Sequence, residues 1–329
     1  MRPQSRTGAG SVAFRDKRWN SWRWRPILEK WGYLRVFLDP DIFKSVGFIV
    51  AGTERLGTVF FVRVPLSEGN SLFGEDYYAI TANHVLTPDS LLRLPLKGQQ
   101  GWKDEPFLLA DWIRYRELDI AILPLTLSLG DYDIKPIPMR ELIADRNYIL
   151  AGGKPPVETV PAFHWGTGEE VYTVGLFDQD IGPKLERPVA RFGHVALRPA
   201  EGELLSIEID EDEVVEAEAF LVELASWPGQ SGSPIFLRPW VDESRGLENR
   251  PRWEFNFLLG MVQGFYPGGE QDVTIDSTDF RLRGLNMGIS VAIPSWAIHK
   301  ALMEPELKNR RAGLLTEQSR ARAKGPKLL

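Results

Sequence analysis

Short apolar runs, broken by Gly and Pro, dominate the chain from residue 46 to residue 293. Val46-Gly47-Phe48-Ile49-Val50-Ala51 opens the series, and further runs at 58–65, 77–81, 91–96, 107–114 and 120–125 are rich in Val, Ile, Phe and Leu. Runs this short, bounded by turn residues, read as strands, and such a set fits one small antiparallel barrel. A second series comes after the Pro-rich stretch 136–161, at 171–177, 189–197, 204–209, 219–224, 233–237, 257–265 and 289–293. Residues 295–304 then predict a helix, with Ser295 as its cap and Pro305 as its stop. The expected fold is all-β: two antiparallel Greek-key β-barrels followed by a C-terminal helix. The expected division is a basic, Trp-rich extension over 1–45, a first barrel over 46–140, a linker over 141–168, a second barrel with the helix over 169–305, and a basic tail over 306–329.

Three segments carry candidate chemistry. Pro228-Gly229-Gln230-Ser231-Gly232-Ser233-Pro234 has the makings of a nucleophile loop. Gly229 permits a backbone conformation that a Cβ would oppose, so the N–H groups of Gly229 and Ser231 could point at one oxygen. Tyr78-Ala79-Ile80-Thr81-Ala82-Asn83-His84 is an apolar strand that delivers a histidine at its end, and Asp119 opens the short apolar run Ile120-Ala121-Ile122-Leu123. A nucleophilic serine needs a base to take its proton and an acid to orient that base. His84, Asp119 and Ser231 supply the three, with Asp111 as the alternative acid. His164, His194 and His299, the other histidines, lie outside any such motif and read as surface or core residues.

The order His, Asp, Ser along the chain is that of chymotrypsin-type proteases. The three motifs, T-A-N-H-V at Thr81–Val85, D-I-A-I at Asp119–Ile122 and G-x-S-G-x-P at Gly229–Pro234, resemble those of the trypsin-like serine peptidases, and most closely the HtrA/Deg-type bacterial branch. The resemblance spans roughly residues 46 to 303. It implies a chymotrypsin fold, an acyl-enzyme mechanism on a polypeptide substrate, and no metal or organic cofactor. It also implies that the primary pocket is built from Ala225 and Ser226, before the nucleophile, and from Val262, Gln263, Gly264 and Phe265. None of these carries a charge, so cleavage is expected after small or medium apolar residues unless Asp272, Asp276 or Asp279 enters from the loop expected at 267–286. Two departures matter. Gln230 stands where trypsin-like zymogens carry an aspartate before the serine, and the residues after Pro305 are too few for the PDZ domain of HtrA proteases.

Composition adds limits. A hydrophobic content of 43% and a charged content of 26% are ordinary for a globular protein. Cysteine is absent, so packing alone must hold the fold, which suits a reducing compartment. With no apolar run of signal-peptide or membrane-spanning length, the expected location is cytoplasmic, with no membrane partner. The net charge of −6 is segregated: residues 1–35 carry nine Lys/Arg against Asp16 and Glu29, and residues 300–329 carry eight against three acidic residues. Trp19, Trp22, Trp24 and Trp31 interleave with the N-terminal cations. Such a segment packs on the body or meets a regulatory protein or nucleic acid. The stretch 201–218 holds nine acidic residues and no basic one, and reads as a solvated hairpin with Asp210-Glu211-Asp212-Glu213 at its tip. Two other readings of the whole chain stand beside the peptidase: a catalytically silent module on a protease fold, and a protease switched on through its basic ends.

Overall fold

The computed structural model describes residues 38–67, 70–98, 101–143, 165–176, 187–210, 213–224, 229–238, 256–267, 271–275, 278–282 and 286–323. Residues 1–37 of the expected N-terminal extension, with Trp19, Trp22, Trp24 and Trp31, therefore lie outside the described residues, while Pro40–Ser45 forms a 3₁₀ turn whose Ile42 joins the core. All described residues belong to one unit, Leu38–Pro239 with Arg252–Leu329.

The first sheet is built from β1 (Val46–Ala51), β2 (Glu54–Ser67), β3 (Asn70–Ala82), β4 (Leu91–Pro95), β5 (Trp102–Pro106), β6 (Ile113–Tyr115), β7 (Ile120–Pro124) and β8 (Ile137–Pro138). Its strand order is β5-β4-β1-β2-β3-β7-β6, with β8 alongside β2, and it curls like a barrel without closing. The second is a closed barrel of β9 (Glu170–Gly175), β10 (Val189–Leu197), β13 (Phe220–Glu223), β14 (Pro234–Leu237), β15 (Leu258–Pro267) and β18 (Asn286–Pro294), in the order β10-β13-β18-β15-β14-β9. Two hairpins stand off it: β11 (Leu205–Asp210) with β12 (Glu213–Ala217), and β16 (Gln271–Ile275) with β17 (Thr278–Leu282). The all-β, two-barrel expectation with helices at the C-terminal end stands.

The principal strands of the two sheets share one path. Numbered in chain order within each sheet (β1, β2, β3, β4, β6, β7 and β9, β10, β13, β14, β15, β18), both run fourth, first, second, third, sixth, fifth. No sequence repeat announces this. The reason is that the path needs only apolar alternation and turns at the right intervals, which very different residues supply.

The helices differ from expectation. α1 (Ser295–Leu302) begins where predicted, but Ser295 does not cap it: its buried hydroxyl donates to Ile143 O at 2.7 Å. Pro305 does not end the helical region either. It opens α2 (Pro305–Ala323), since a proline at a helix start lacks only an N–H that has no partner there. α1 packs on β15 and β18, and α2 on β2 and β3, so the two carry the chain from the second barrel back to the first sheet. α2 is anchored by buried charge. Asp76, 4% exposed, accepts from Arg310 Nε at 3.0 Å and from Tyr78 Oη at 2.6 Å. Arg311, 5% exposed, donates to Tyr78 Oη at 2.9 Å and to Leu302 O at 2.8 Å. From Ala312 to Arg320 the helix is mostly exposed.

Other strand expectations shift. Residues 107–114 are not one strand: a 3₁₀ turn at Leu109–Asp111 separates β5 from β6, because Asp111 Oδ2 accepts from Leu108 N at 3.0 Å. Leu108 is left 71% exposed, so its apolarity misleads. The region expected as a loop at 267–286 holds the β16–β17 hairpin.

One core spans both barrels, joining Val59, Phe60 and Ile80 to Tyr172, Phe236, Met261 and Ile293, while Trp165, Phe220, Val222 and Ile235 belong to a second cluster within the later barrel. Glu141 lies where the chain leaves the first sheet. It is buried and accepts from Asn256 N at 3.2 Å, while Asn256 Oδ1 accepts from Tyr172 Oη at 2.9 Å. Burial pushes its carboxyl up to about 7.

Candidate active site

His84 sits at the end of β3, in a 3₁₀ turn over Asn83–Val85. Asp119 is the residue before β7, and its backbone takes the left-handed conformation at φ 50, the sole non-glycine among the described residues to do so. Aspartate tolerates that region better than most residues. The turn aims its carboxylate at His84. Oδ2 lies 2.7 Å from His84 Nδ1, and Oδ1 accepts from His84 N at 2.9 Å. The carboxylate thus holds both the ring and the backbone of the histidine. Asn83 N also donates to Asp119 O at 3.1 Å, and Arg114 Nε donates to Asn83 Oδ1, tying β6 into the same corner. Asp119 is 1% exposed while the histidine side chain is 28% exposed, so the imidazole faces outward from a dry acidic partner. Asp111, the alternative acid, is an exposed turn residue that bonds Leu108 instead.

Ser231 lies in the loop between β13 and β14, half-buried. Gly229 and Gly232 flank it at φ 88 and φ 86, a region costly to any residue with a Cβ. β2 joins this loop to the first sheet: Thr58 N donates to Ser231 O at 2.9 Å. A Cβ built on the preceding Gly57 would stand 2.9 Å from Ser231 O and 2.8 Å from Val85 Cγ1. One backbone position of β2 therefore touches both the serine and the neighbour of His84. On its far side the loop is held by Gly232 N donating to Val262 O at 2.8 Å and Ser233 N donating to Gln230 O at 2.9 Å.

The residues expected in the substrate pocket divide. Ala225 and Ser226 lie outside the described residues. Val262 is fully buried within the second core cluster, so its side chain points into the barrel and only its backbone faces the serine loop. Gln263 is 5% exposed, and the β15–β18 register slips between Val262 and Gly264, which makes Gln263 a bulge residue. Gly264 is half-buried and has no atom within 4 Å of the place a Cβ would take, so it fronts open space. Phe265 lies in β15. Of the other histidines, His194 is exposed on β10, His299 is half-buried on α1 with its pKa lowered by burial, and His164 lies outside the described residues.

Among the described residues no group of His, Asp or Glu is arranged to hold a metal ion, and no helix is long and apolar enough to cross a membrane. No family model and no curated protein matches the chain. Solved structures do. The Rv3671c protease from M. tuberculosis in its active form is 15% identical, with 92% of each chain covered and a TM-score of 0.40. Human heparin binding protein is 9% identical over 80% of this chain and 92% of its own, with a TM-score of 0.44.

Several residues that shape the site carry no motif: Gly57, Thr58 and Arg114 lie outside the three segments that carry candidate chemistry. The one available signal is the Gly57-Thr58 pair at the head of an apolar run, where a small residue followed by a hydroxyl stands apart from its neighbours.

Proposed function

We propose that the chain is a serine endopeptidase of the trypsin-like, HtrA-type branch, hydrolysing peptide bonds through an acyl-enzyme. The observation that carries this is the two-point grip of Asp119 on His84, through Nδ1 and through the backbone N–H. It fixes the imidazole with its proton on Nδ1 and leaves Nε2 free to act as a base. In the mechanism, Ser231 Oγ attacks the scissile carbonyl and its proton passes to His84 Nε2. The Gly229 and Ser231 N–H groups bind the oxyanion. His84 then gives that proton to the leaving amine, and Asp119 stabilises the imidazolium meanwhile. Water repeats the sequence on the acyl-enzyme, restoring Ser231.

For specificity, the uncharged set Ala225, Ser226, Val262, Gln263, Gly264 and Phe265 supports cleavage after small or medium apolar residues. A Lys or Arg there would be desolvated without a partner. The lack of any cysteine supports work in the cytoplasm, where disulfides do not persist.

A fluorophosphonate probe tests the reading directly, since only an activated serine reacts fast. The expected result is one modified residue, Ser231, with labelling abolished in His84→Ala. A chain that stays unlabelled, or labels equally well without His84, is a silent protease-fold module instead.

A further inference from the structure

Thr58 meets the serine loop at more points than its place in an apolar strand requires. It is fully buried on β2. Its N–H donates to Ser231 O at 2.9 Å, and its hydroxyl donates to Gly229 O at 3.0 Å. The same hydroxyl accepts from Leu176 N at 2.8 Å, just past β9 of the closed barrel. Its carbonyl accepts from Thr81 Oγ1 at 2.7 Å, three residues before His84 on β3. The fit around this node is tight: a Cβ built on Gly232 would fall 2.0 Å from Thr58 O and 2.5 Å from Thr81 Oγ1.

We propose that Thr58 is the positioning residue of the catalytic serine loop, its hydroxyl locking the Gly229 peptide while its backbone locks Ser231. This rests on the reading of Ser231 as nucleophile. The physical need arises at Gly229. A glycine visits positive and negative φ almost equally, so the peptide on either side of it turns over easily unless something holds it. A carbonyl fixed at each end of the segment 229–231 removes that freedom. The peptides 229–230 and 231–232, which bracket the Ser231 N–H, then hold that donor aimed before substrate arrives, which is the condition for its stabilising the transition state. Because Thr81 bonds the same residue, the serine loop and the strand leading to His84 are set against one another through a single side chain and its backbone.

The test compares Thr58→Val, which keeps the shape and loses the hydroxyl, with Thr58→Ser, which keeps the hydroxyl. The readouts are kcat and KM on a peptide substrate, the fluorophosphonate labelling rate of Ser231, and amide hydrogen exchange at Leu176 and residues 229–232. Expected for Thr58→Val is a fall in kcat of about 10²-fold, the scale of losing one oxyanion donor, with KM within about threefold of wild type. The labelling rate should fall in parallel and exchange should quicken at Leu176 and in the loop. Thr58→Ser should restore all of these to within about threefold. Should Thr58→Val fail to fold, Thr58→Ala takes its place in the same comparison with Thr58→Ser. Equal impairment in the Ser variant would overturn the proposal in favour of methyl packing, and so would unchanged kcat and exchange in the Val or Ala variant. If wild type takes no label, the nucleophile reading fails, and the exchange comparison still decides whether the hydroxyl fixes the loop.

Discussion

The two barrels share a strand path but not a way of holding it. In the later barrel β14 meets β15 and the sheet closes on itself, so every strand has two neighbours. In the first sheet β4 and β6 never meet; β5 covers one end and β6 is left as an edge. Full closure is the one arrangement that removes edges altogether, so an open sheet needs support from outside. That support is visible. Tyr115, on edge strand β6, donates to Ala301 O at 3.2 Å in α1. Arg310 and Arg311 of α2 bind Asp76 and Tyr78 on β3. The β11–β12 hairpin of the second barrel reaches the turn Arg116–Leu118 just ahead of Asp119, and its Ile207 and Ala217 are buried in the shared core. The half that carries His84 and Asp119 is thus braced by later parts of the chain, while the strands of the other half close on one another and its serine loop takes support from Thr58 of β2.

The path also places the site residues. His84 comes after the third strand of its sheet, and Ser231 after the third strand of the other, so the proposed base and the proposed nucleophile occupy corresponding connections. Asp119 lies between the fifth and sixth strands of the first sheet; the same interval of the second barrel holds the β16–β17 hairpin.

Changes at the site itself should be the largest. Ser231→Ala and His84→Ala are each expected to lower kcat by on the order of 10⁴-fold or more while melting normally. Asp119→Asn should lose about 10⁴-fold, because an amide favours the wrong imidazole tautomer. Near-wild-type turnover in any of the three would end the peptidase reading.

The bracing contrast is sharpened next by Arg311→Ala, which strips the bonds to Tyr78 Oη and Leu302 O in a buried setting. The expected loss is about 1–3 kcal/mol, with amide exchange quickening in β2 and β3 before it does in the closed barrel. Uniform quickening across both sheets would mean that closure gives no independence.

Glu141 should set a pH dependence of stability. Its carboxyl is raised from an ordinary 4.5 to about 7, so the folded chain holds a proton that the unfolded chain has lost. Its contribution is therefore complete below about pH 4.5 and is lost as pH rises through about 7, on the order of 3 kcal/mol in all. Glu141→Gln is expected to flatten that slope in denaturant titrations between pH 4 and pH 8, roughly the interval over which the carboxyl titrates. A slope unchanged by the substitution would place the titration elsewhere.

The smallest effect is expected from removing residues 312–329. The helix is anchored through Leu307, Arg310 and Arg311, and its described residues past Arg311 are mostly exposed, so the melting temperature should shift by no more than about 2 °C. A larger drop would show that the brace extends past Arg311.

Much of this frame was legible because strands announce themselves by local composition. The expected bounds at 46–51 and 189–197 coincide with β1 and β10. The failures have a common cause, namely that side chains answer to partners distant in sequence. Leu108 looks like a strand residue until Asp111 captures its N–H. Ser295 looks like a cap until Ile143 O takes its hydroxyl from 152 positions away. The hairpin read over 201–218 is present as β11–β12, whereas β16–β17, with only two apolar residues on each strand among Asp272, Thr274, Asp279 and Arg281, reads as a loop. Thr58 reads as a β-former in an apolar strand, since its bonds to Gly229 and Leu176 exist only once the barrels meet. The candidate site was readable as three motifs; the contacts that hold it were not.

The placement of α2 sets an order of events during synthesis. The ribosome makes the first sheet early, and residues 305–323 emerge after His84, Asp119 and Ser231 have all been made. Contacts of such sequence separation form late, because the intervening chain must close before they reward it. A nascent chain therefore carries an unbraced β3, and its histidine corner gains this support only after Arg310 and Arg311 have emerged. For the peptidase proposed above, this timing delays full competence until the chain's own strands are already sheltered within the fold.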